Sequence, residues 1–356
     1  MSSSKLNPSN DRRDITIGGT AFEAGKKGVV ELPIGSLINY QPVSMPVHVR
    51  RGKKDGPCLI VTAGLHGDEI NGIEIVRRLL RSRLLSGLMG DLILVPIVNI
   101  PGYLSRSRYL PDRRDLNRLF PGSPKGSLGG RIAYTFSDEV MKHGTHAIDM
   151  HTGAIRRPNL PQIRYTEGDE TGFGMAKAFA PPVVMSSALR ESSLRATYFE
   201  KKIPSIIYEA GEAHRLNAAS VRFGFRGVIS VMRHLGMLPP SKKPQKRHIK
   251  TIVAPTSFWV RAPQGGIFSP STNLGQATIA NKEIGVVADP FGRKEFEILS
   301  PSDGIIIGIL REATVDEGDA LFHIATSQNP EKEEAQIQKS EDHLEHAEEE
   351  FPGDIN

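Results

Sequence analysis

Residues 64–69 read GLHGDE, which places His66 three residues before Glu69 at the end of the apolar run CLIVTA. A strand that only turns a corner needs Gly, Asn or Asp there, and it does not need an imidazole beside a carboxylate. Two further apolar runs end in residues of the same kind, because THAIDM is followed by His151 and PSIIY by Glu209. These four side chains are therefore the candidates for chemistry.

Their types suit a metal-dependent hydrolase. Ligands of open α/β sheets bind at the carboxyl ends of strands, so we expect the four side chains to gather at one edge of a sheet. Two imidazoles and a carboxylate, here His66, His151 and Glu69, make a three-ligand zinc site that keeps a position open for water. Zinc lowers the pKa of a bound water to roughly 7 and polarises a carbonyl. A further carboxylate is then needed as the general base, and Glu209 is predicted to be that base.

Each of these residues also has a purely structural interpretation. Glu69 lies where the first turn of a helix favours an acid, His151 could bond a backbone carbonyl, and Glu209 could form an ion pair. The shared position at strand ends favours a joint site over three separate roles. Glu212, in EAGEAH, is an alternative base, but Glu209 is the residue that directly follows the apolar run.

The elements that must position these residues alternate between strands and helices. The apolar runs are short, continuous and bounded by Gly, Pro, Asn or Asp, which is typical of strands buried on both faces of a sheet. Between them, Ile70, Ile73, Val76 and Leu80 fall on one face of a predicted helix. This alternation over residues 50–240 predicts an α/β domain. The runs are CLIVTAG (58–64), DLILVPIVN (91–99), THAIDMH (145–151), PPVVMSS (181–187) and PSIIYEAG (204–211).

The sequence changes character after this α/β region, which we extend to residues 1–240 with its N-terminal strands. The basic stretch at 241–250 has no periodicity and is interpreted as a linker. Residues 251–326 contain short strand-like runs broken by Gly, Pro and Asp-Gly, which predict a small C-terminal all-β domain. Its ending, VDEGDALFHI, resembles the second half of a biotinyl or lipoyl barrel-sandwich. Residues 327–356 are acidic and poor in large apolar side chains, so we expect a disordered tail or at most a solvated helix.

Composition narrows the class of protein. The N-terminus is polar without the apolar core of a secretory signal, and Cys58 is the only cysteine, which fits a cytoplasmic protein and excludes a cysteine-built zinc site. No apolar run is long enough for a membrane span. Ten acids against two lysines in 330–356 give that segment a charge of −8 and leave +13 on the rest. With 6% aromatic residues and no aromatics interleaved in basic stretches, this charge favours a small anionic substrate over nucleic acid.

Four motifs together resemble the succinylglutamate desuccinylase/aspartoacylase family, which is related to the zinc carboxypeptidases. The resemblance covers residues 50–240, with the motifs in the family's order. It implies a zinc-carboxypeptidase-like mixed sheet flanked by helices, and one zinc ion per chain on the three ligands named above, with the same base. The motifs are GLHGDE (64–69), DLNR (115–118), DMHTG (149–153) and YEAG (208–211).

The resemblance also implies residues that bind the substrate. Asn117 and Arg118 match the pair that holds a substrate carboxylate, which suits the planar, bidentate guanidinium of arginine. Asp115 matches an acid that stands behind a zinc-binding histidine and fixes its orientation. Arg108 matches a substrate arginine across a two-residue gap, and Arg195 is the nearest match to a second one.

The predicted reaction is hydrolysis of the amide bond of an N-acyl amino acid. A carboxypeptidase-like zinc peptidase is the alternative, because the C-terminus of a peptide offers DLNR the same carboxylate. A non-catalytic metal-binding or nucleic-acid-binding protein is a third hypothesis, but it would not need Glu209 beside the metal. We expect no nucleic acid and no membrane as partners. Self-association into a homo-oligomer, and cobalt or iron in place of zinc, remain open.

Overall fold

The computed structural model of the protein describes residues 14–241 and 251–346. These two ranges contain seven α-helices, joined in places by short 3₁₀ and π-helical turns. None of the helices in the described part is both long and apolar enough to cross a membrane. The helices are α1 (Ile70–Arg81), α2 (Ile100–Leu104), α3 (Leu128–Thr135), α4 (Glu170–Phe179), α5 (Leu194–Glu200), α6 (Ala218–His234) and α7 (Pro330–His346).

Nineteen strands lie in the same two ranges. Thirteen of them form one large mixed sheet, four form a second sheet and the first two form a hairpin. The strands are β1 (Ile15–Ile17), β2 (Thr20–Phe22), β3 (Lys27–Ser36), β4 (Pro42–Arg51), β5 (Lys54–Thr62), β6 (Met89–Val95), β7 (His146–Gly153), β8 (Asn159–Tyr165), β9 (Val183–Ser186), β10 (Ser205–Glu212), β11 (Ile252–Ala254), β12 (Ser257–Arg261), β13 (Gly266–Pro270), β14 (Ala277–Thr278), β15 (Glu283–Ala288), β16 (Glu295–Leu299), β17 (Gly304–Ile309), β18 (Thr314–Val315) and β19 (Ala320–Thr326).

The centre of the large sheet is parallel and fixes one edge as the place where strands end together. β6, β5, β7 and β10 are neighbours in that order, and each adjacent pair runs parallel. These four strands and β9 are the five apolar runs of the sequence, so all five strand predictions are confirmed. Because β5, β7 and β10 point the same way, the segments that follow them meet at one edge of the sheet, as predicted.

Helices cover both faces of this sheet, as the predicted fold class requires. On one face α1, α4 and α6 enclose a core that includes Ile75, Met175 and Val228. On the other face α3 and α5 cover a second core that includes Ile132 and Leu194. The alternate residues of each buried strand face these two cores, which is why the strands read as continuous apolar runs.

Helix α1 begins at the predicted position, but its buried face is rotated from the predicted one. Ile75, Val76 and Leu79 are fully buried, whereas Ile73 and Leu80 are only partly buried. The reason is that α1 packs against the sheet and against α6 at once, so the face between these two neighbours is the one that is covered.

The C-terminal residues 251–326 contain β11–β19 and no α-helix, which agrees with the strand-rich pattern of the sequence. These strands do not stand apart from the rest of the chain. β17 pairs antiparallel with β8, and β11 pairs parallel with β9, so the large sheet continues from one part of the chain into the other. The predicted linker falls outside the described residues except for Ser241. The proposed domain boundary therefore stays a prediction.

Part of the acidic segment, for which we expect a disordered tail or at most a solvated helix, forms the helix α7 (Pro330–His346). Ile337 is only 3% exposed and lies in a small core with Ala277 of β14 and Ile305 of β17. The carboxylate of Glu334 accepts a hydrogen bond from the backbone N–H of Ala277 at 3.2 Å. One apolar side chain at the right position thus anchors a helix whose composition alone indicates solvation, and residues 347–356 lie outside the described part.

A ring stack joins two strands of the C-terminal segment. The rings of Trp259 in β12 and His323 in β19 lie 4.3 Å apart between centroids and are inclined by only 9°. His323 Nε2 and Ser257 Oγ are hydrogen-bonded at 2.9 Å. Burial of the imidazole, and next the positive charge of Arg164, lowers the pKa of His323 to about 3. The ring is therefore neutral in the folded protein at neutral pH.

We expect His323 to make folding sensitive to acid. Its folded pKa lies below the unfolded value of 6.5, so the unfolded chain binds a proton that the folded protein excludes. The stabilisation is complete above the unfolded pKa and is lost as the pH falls towards the folded one, by at most about 1.4 kcal/mol per pH unit. Denaturant titrations at pH 7 and pH 5 should show a smaller loss for His323→Phe than for the wild type. Equal losses in the two proteins would contradict this.

Candidate metal centre

The carboxyl edge of the sheet brings the three predicted metal ligands together. His66 and Glu69 lie in the loop after β5, His151 lies in β7, and all three side chains are buried. One ligand atom from each residue lies within 4.8 Å of the other two. Glu69 Oε1 is 2.7 Å from His66 Nδ1, and Glu69 Oε2 is 2.8 Å from His151 Nδ1. Both imidazoles therefore turn the same nitrogen inwards, towards a shared carboxylate.

The outer nitrogen of each histidine faces another carboxylate. His66 Nε2 lies 3.3 Å from Asp115 Oδ1, and His151 Nε2 lies 2.7 Å from Asp149 Oδ2. Asp149 also accepts a hydrogen bond from Thr62 Oγ1 at 2.7 Å. Partners of this kind keep a proton on Nε2 and leave Nδ1 as the ligand atom. Asp115 thus lies behind a histidine, where the resemblance placed it.

Asp149 is not among the site residues predicted from the sequence. The signal is present, because residues i and i+2 of a strand point to the same face, and Asp149 precedes His151 by two in a buried strand. A buried acid on the same face as a candidate histidine ligand is a natural partner for its outer nitrogen.

In this cluster, burial disfavours the charged form of each side chain, whereas neighbouring opposite charges favour it. Burial alone would lower the pKa of His66, but the carboxylates of Glu69 and Asp115 raise it. The pKa of His151 is likewise raised well above its usual value, because Asp149 and Glu69 outweigh burial. Burial would raise the pKa of Glu69, yet the two imidazoles hold it well below its usual range. The site therefore holds a buried anion that requires positive charge close to it.

This donor set fits a divalent metal ion. Two imidazole nitrogens and a carboxylate are ligands for transition metals, and three protein ligands leave a coordination position open. The outer carboxylates supply the hydrogen bonds that such histidines usually have. The chemistry of the donors and their orientation thus agree with a catalytic type of metal site.

The glycine in the middle of the ligand loop is required by close packing. A Cβ atom on Gly67 would lie only 2.0 Å from the carbonyl carbon of Gly102 in α2. The loop that carries His66 and Glu69 therefore presses directly on the backbone of α2, which explains why GLHGDE places glycine between its chemically active residues.

Glu209 lies next to His151 because their strands are parallel neighbours. β10 pairs with β7 so that Glu209 is in register with His151. The Glu209 carboxylate accepts a hydrogen bond from Asn159 Nδ2 at 2.8 Å, and its other oxygen lies 3.4 Å from the Arg164 guanidinium. The side chain is 15% exposed, so it is held on two sides and still open to solvent.

The alternative base, Glu212, has a different environment. It follows a shift in the register of β10, and its Oε1 lies 2.6 Å from Nε of Arg215. Both residues lie on β10 beside β7, but Glu209 is in register with the predicted ligand His151, whereas Glu212 is in register with Gly153.

The predicted carboxylate-binding pair lies in a 3₁₀ turn, Leu116–Arg118, whose N-cap residue is Asp115. Asn117 Oδ1 accepts a hydrogen bond from the backbone N–H of Leu194 at 2.9 Å, so the amide nitrogen is the end that can donate to a ligand. Arg118 is exposed and donates to the Asn117 carbonyl oxygen at 2.6 Å. The turn is thus tied to the metal cluster through Asp115, while the role of the pair stays a prediction.

Arg108 lies against the metal cluster itself. Its guanidinium is 3.3 Å from Glu69 Oε1, 3.2 Å from His66 Nδ1 and 3.1 Å from Asp115 Oδ2. These contacts make it an ion-pair partner of the cluster, and its predicted contact with a substrate is not tested by them.

Arg195 is buried and bonded to backbone. It donates to the carbonyl oxygens of Tyr165 at 3.2 Å and Ala188 at 2.7 Å. Burial, and next the neighbouring charge of Arg164, lowers the pKa of Arg195 to about 10, while Glu209 opposes this. The structure thus brings Arg195 into the electrostatic range of Glu209, but its direct hydrogen bonds go to the main chain.

Asn159 and Arg164, which contact the Glu209 carboxylate, are not among the predicted site residues, because the sequence of β8 does not predict a strand. Its sequence, NLPQIRY, mixes polar and apolar residues and contains a proline, so it does not resemble the continuous apolar runs. β8 runs antiparallel to β10, and its first residue, Asn159, therefore lies at the carboxyl end of β10. The site edge of the sheet therefore receives side chains from the ends of its parallel strands and also from the start of an antiparallel neighbour.

Comparisons with known proteins find similar sequences and similar folds. The model of the succinylglutamate desuccinylase/aspartoacylase catalytic domain matches residues 55–235. An N-alpha-acetyl-L-2,4-diaminobutyric acid deacetylase of Halomonas elongata is 28% identical over 319 residues, which are 85% of this chain and 93% of that protein. A succinylglutamate desuccinylase of Burkholderia cenocepacia is 42% identical over 139 residues, 36% of this chain and 38% of that protein. A crystal structure of a succinylglutamate desuccinylase/aspartoacylase from Rhodobacter sphaeroides matches with a TM-score of 0.77 and 25% identity, covering 90% of this chain and 98% of that one.

We expect Asp149→Asn to weaken metal binding about 10- to 100-fold, because the amide cannot hold the His151 ring as the carboxylate does. Competition with a chromophoric chelator measures the affinity for a divalent metal ion. Asp138→Asn removes an exposed carboxylate of the same charge and serves as the control, with unchanged affinity. Equal affinities in the wild type and Asp149→Asn would show that this carboxylate does not support a metal site.

Proposed function

The chain belongs to the succinylglutamate desuccinylase/aspartoacylase family, and we propose on this premise that it is a zinc-dependent hydrolase of the amide bond in an N-acyl amino acid. The observation that carries the proposal is the register of Glu209 with His151 on neighbouring strands. It sets a carboxylate that is not part of the donor set directly beside that set. The match to a deacetylase over most of both chains supports an amide as the bond that is cleaved.

Each residue of the site would have a distinct role in the reaction. His66, Glu69 and His151 would hold the zinc ion, while Asp115 and Asp149 orient the two imidazoles. When bound, zinc supplies Lewis acidity, which polarises the acyl carbonyl and lowers the pKa of water to roughly 7.

Glu209 carries the proton that the reaction must move. It takes a proton from the attacking water as the water oxygen bonds to the acyl carbon, and it gives a proton to the amine nitrogen as the C–N bond breaks. One water is consumed, and the products are a carboxylic acid and a free amino acid. Asn159 and Arg164 each hold one oxygen of the Glu209 carboxylate and so keep it directed during both transfers.

Recognition of the substrate is assigned to its carboxylate. The Asn117 amide and the Arg118 guanidinium are donors that suit this group, and the guanidinium can meet it with two parallel hydrogen bonds. The charge of +13 outside residues 330–356 attracts an anionic substrate over a longer range. These features select for a substrate with a free carboxylate, and they do not determine which acyl group is accepted.

For the acyl group, the relatives give two candidates. The deacetylase of Halomonas elongata aligns over 93% of its length, whereas the desuccinylase of Burkholderia cenocepacia aligns over 38%. The extent of the first match favours a short acyl group, and an N-acetylated diamino acid is the first substrate to try.

A hydrolysis panel tests the proposed function. Purified protein, with and without a chelator, is given the N-acetyl and N-succinyl derivatives of 2,4-diaminobutyrate, ornithine, aspartate and glutamate, together with dipeptides, and products are read by mass spectrometry. We expect chelator-sensitive release of one acyl group and recovery of activity when zinc is added back. Cleavage of the dipeptides alone would overturn the proposal in favour of a carboxypeptidase-like enzyme. Cleavage that is insensitive to the chelator would exclude the metal.

We expect Glu209→Gln to lose turnover by on the order of 10²- to 10⁴-fold while its zinc content stays unchanged, because the residue moves protons and is not a ligand. Steady-state kinetics and elemental analysis measure the two quantities on the same sample. Glu212→Gln removes a neighbouring carboxylate of the same strand and should keep activity within a few fold. A Glu209→Gln protein with most of its activity would show that another group is the base.

A further inference from the structure

We infer that Asn159 positions the carboxylate of Glu209 for catalysis, and that the C-terminal strand β17 holds Asn159 in place at Gly308. The inference rests on the proposed role of Glu209 as the base. It adds a positioning residue to the site and gives residues 251–326 a part in building it.

The Glu209 carboxylate has one partner for each oxygen. Asn159 Nδ2 donates to Oε2 at 2.8 Å, and the Arg164 guanidinium lies 3.4 Å from Oε1. Asn159 itself is only 6% exposed, so its amide has little freedom to rotate. A glutamate side chain has three rotatable bonds, and a partially exposed one samples many directions unless it is held. The neutral amide of Asn159 fixes the direction of one oxygen without bringing a second charge.

Asn159 lies between two glycines of neighbouring strands. It is the first residue of β8, and it pairs with Gly211 of β10 on one side and with Gly308 of β17 on the other. A Cβ atom on Gly308 would lie 3.0 Å from Asn159 Oδ1 and 3.1 Å from the Cβ atom of His323. The amide oxygen of Asn159 is thus packed against the backbone of β17, while the amide nitrogen of the same group holds Glu209.

The segment before Asn159 is attached to β17 as well. The backbone N–H of Ile309 donates to the carbonyl oxygen of Pro158 at 3.3 Å, and that of Arg311 donates to Arg156 at 2.7 Å. The side chains of Arg156 and Glu312 form an ion pair. This segment connects β7, which carries a predicted metal ligand, to β8. The C-terminal segment therefore fixes the loop that runs from the metal cluster to the residue that holds the base.

The contact predicts a particular pattern of kinetic losses. Asn159→Ala removes the donor, and Asn159→Asp keeps the shape but replaces the donor with an acceptor. We expect both to lower kcat at least 10-fold, with KM changed by less than a factor of about 3 and zinc content unchanged. Asn159→Asp serves as the second variant if the alanine protein is poorly folded, and thermal unfolding is recorded for each protein.

Gly308→Ala tests the part of β17. We expect it to lower kcat by displacing the Asn159 amide, and we expect the double variant Gly308→Ala/Asn159→Ala to lose no more than Asn159→Ala alone, because the two changes act through one contact. Gly285→Ala is the matched control. A Cβ there would be equally crowded, 3.0 Å from the Ser269 carbonyl oxygen, but it lies in the four-stranded sheet. It should leave kcat unchanged.

The substrate for these measurements is the panel compound that the wild type cleaves fastest, and Glu209→Gln is measured alongside. Wild-type kcat in both Asn159 variants, with Glu209→Gln inactive, would overturn the inference and leave the proposed function intact. Full activity of Glu209→Gln would remove the role of Glu209 as the base, on which the inference rests, whereas chelator-insensitive cleavage by the wild type would overturn the proposed metal-dependent function. Additive losses in the double variant, or an equal loss in Gly285→Ala, would overturn the coupling through β17.

Discussion

The site depends on one buried carboxylate, that of Glu69, and on the need to neutralise it. An ion removed from water costs several kcal/mol unless it is paired and fully hydrogen-bonded. Two imidazoles meet that need from opposite sides, and each then requires an acceptor for its outer nitrogen, which Asp115 and Asp149 supply. The need to neutralise Glu69 thus fixes the orientation of both imidazoles, through acceptors that lie in β7 and in the segment before α3.

The sequence predicts much of this architecture because buried parallel strands have a recognisable composition. Each of the five continuous apolar runs is a strand, and the residues that follow three of them meet at one edge. The apolar pattern does not predict elements that are stabilised by strand pairing or by the burial of a single side chain. β8 is a strand through its pairing with β10, although Pro161 weakens its local preference, and α7 is held by the burial of Ile337, which averaged composition does not reveal.

Long-range pairing is the other feature that a single sequence does not contain. The change in composition near residue 250 indicates a separate β segment, yet β17 adds to the same sheet as β8, and β11 adds to β9. Nothing local to Gly308 indicates that it pairs with Asn159, since the reason for the glycine is the amide on the neighbouring strand. Asn159 and Arg164 therefore come to light only when the strands are assembled.

Because His151 and Glu209 are in register on neighbouring parallel strands, the distance between their backbones is fixed. Neighbouring strands are held about 4.8 Å apart by their backbone hydrogen bonds, whatever side chains they carry. The backbone pairing of the two strands thus sets the distance between the residue that carries a proposed ligand and the residue proposed as the base. Asn117 and Arg118, in contrast, lie in a turn outside the sheet. Asn117 and Arg118 can therefore be replaced to change which carboxylate is recognised, while Asp115 stays against His66 and the spacing of the strands that carry His151 and Glu209 stays the same.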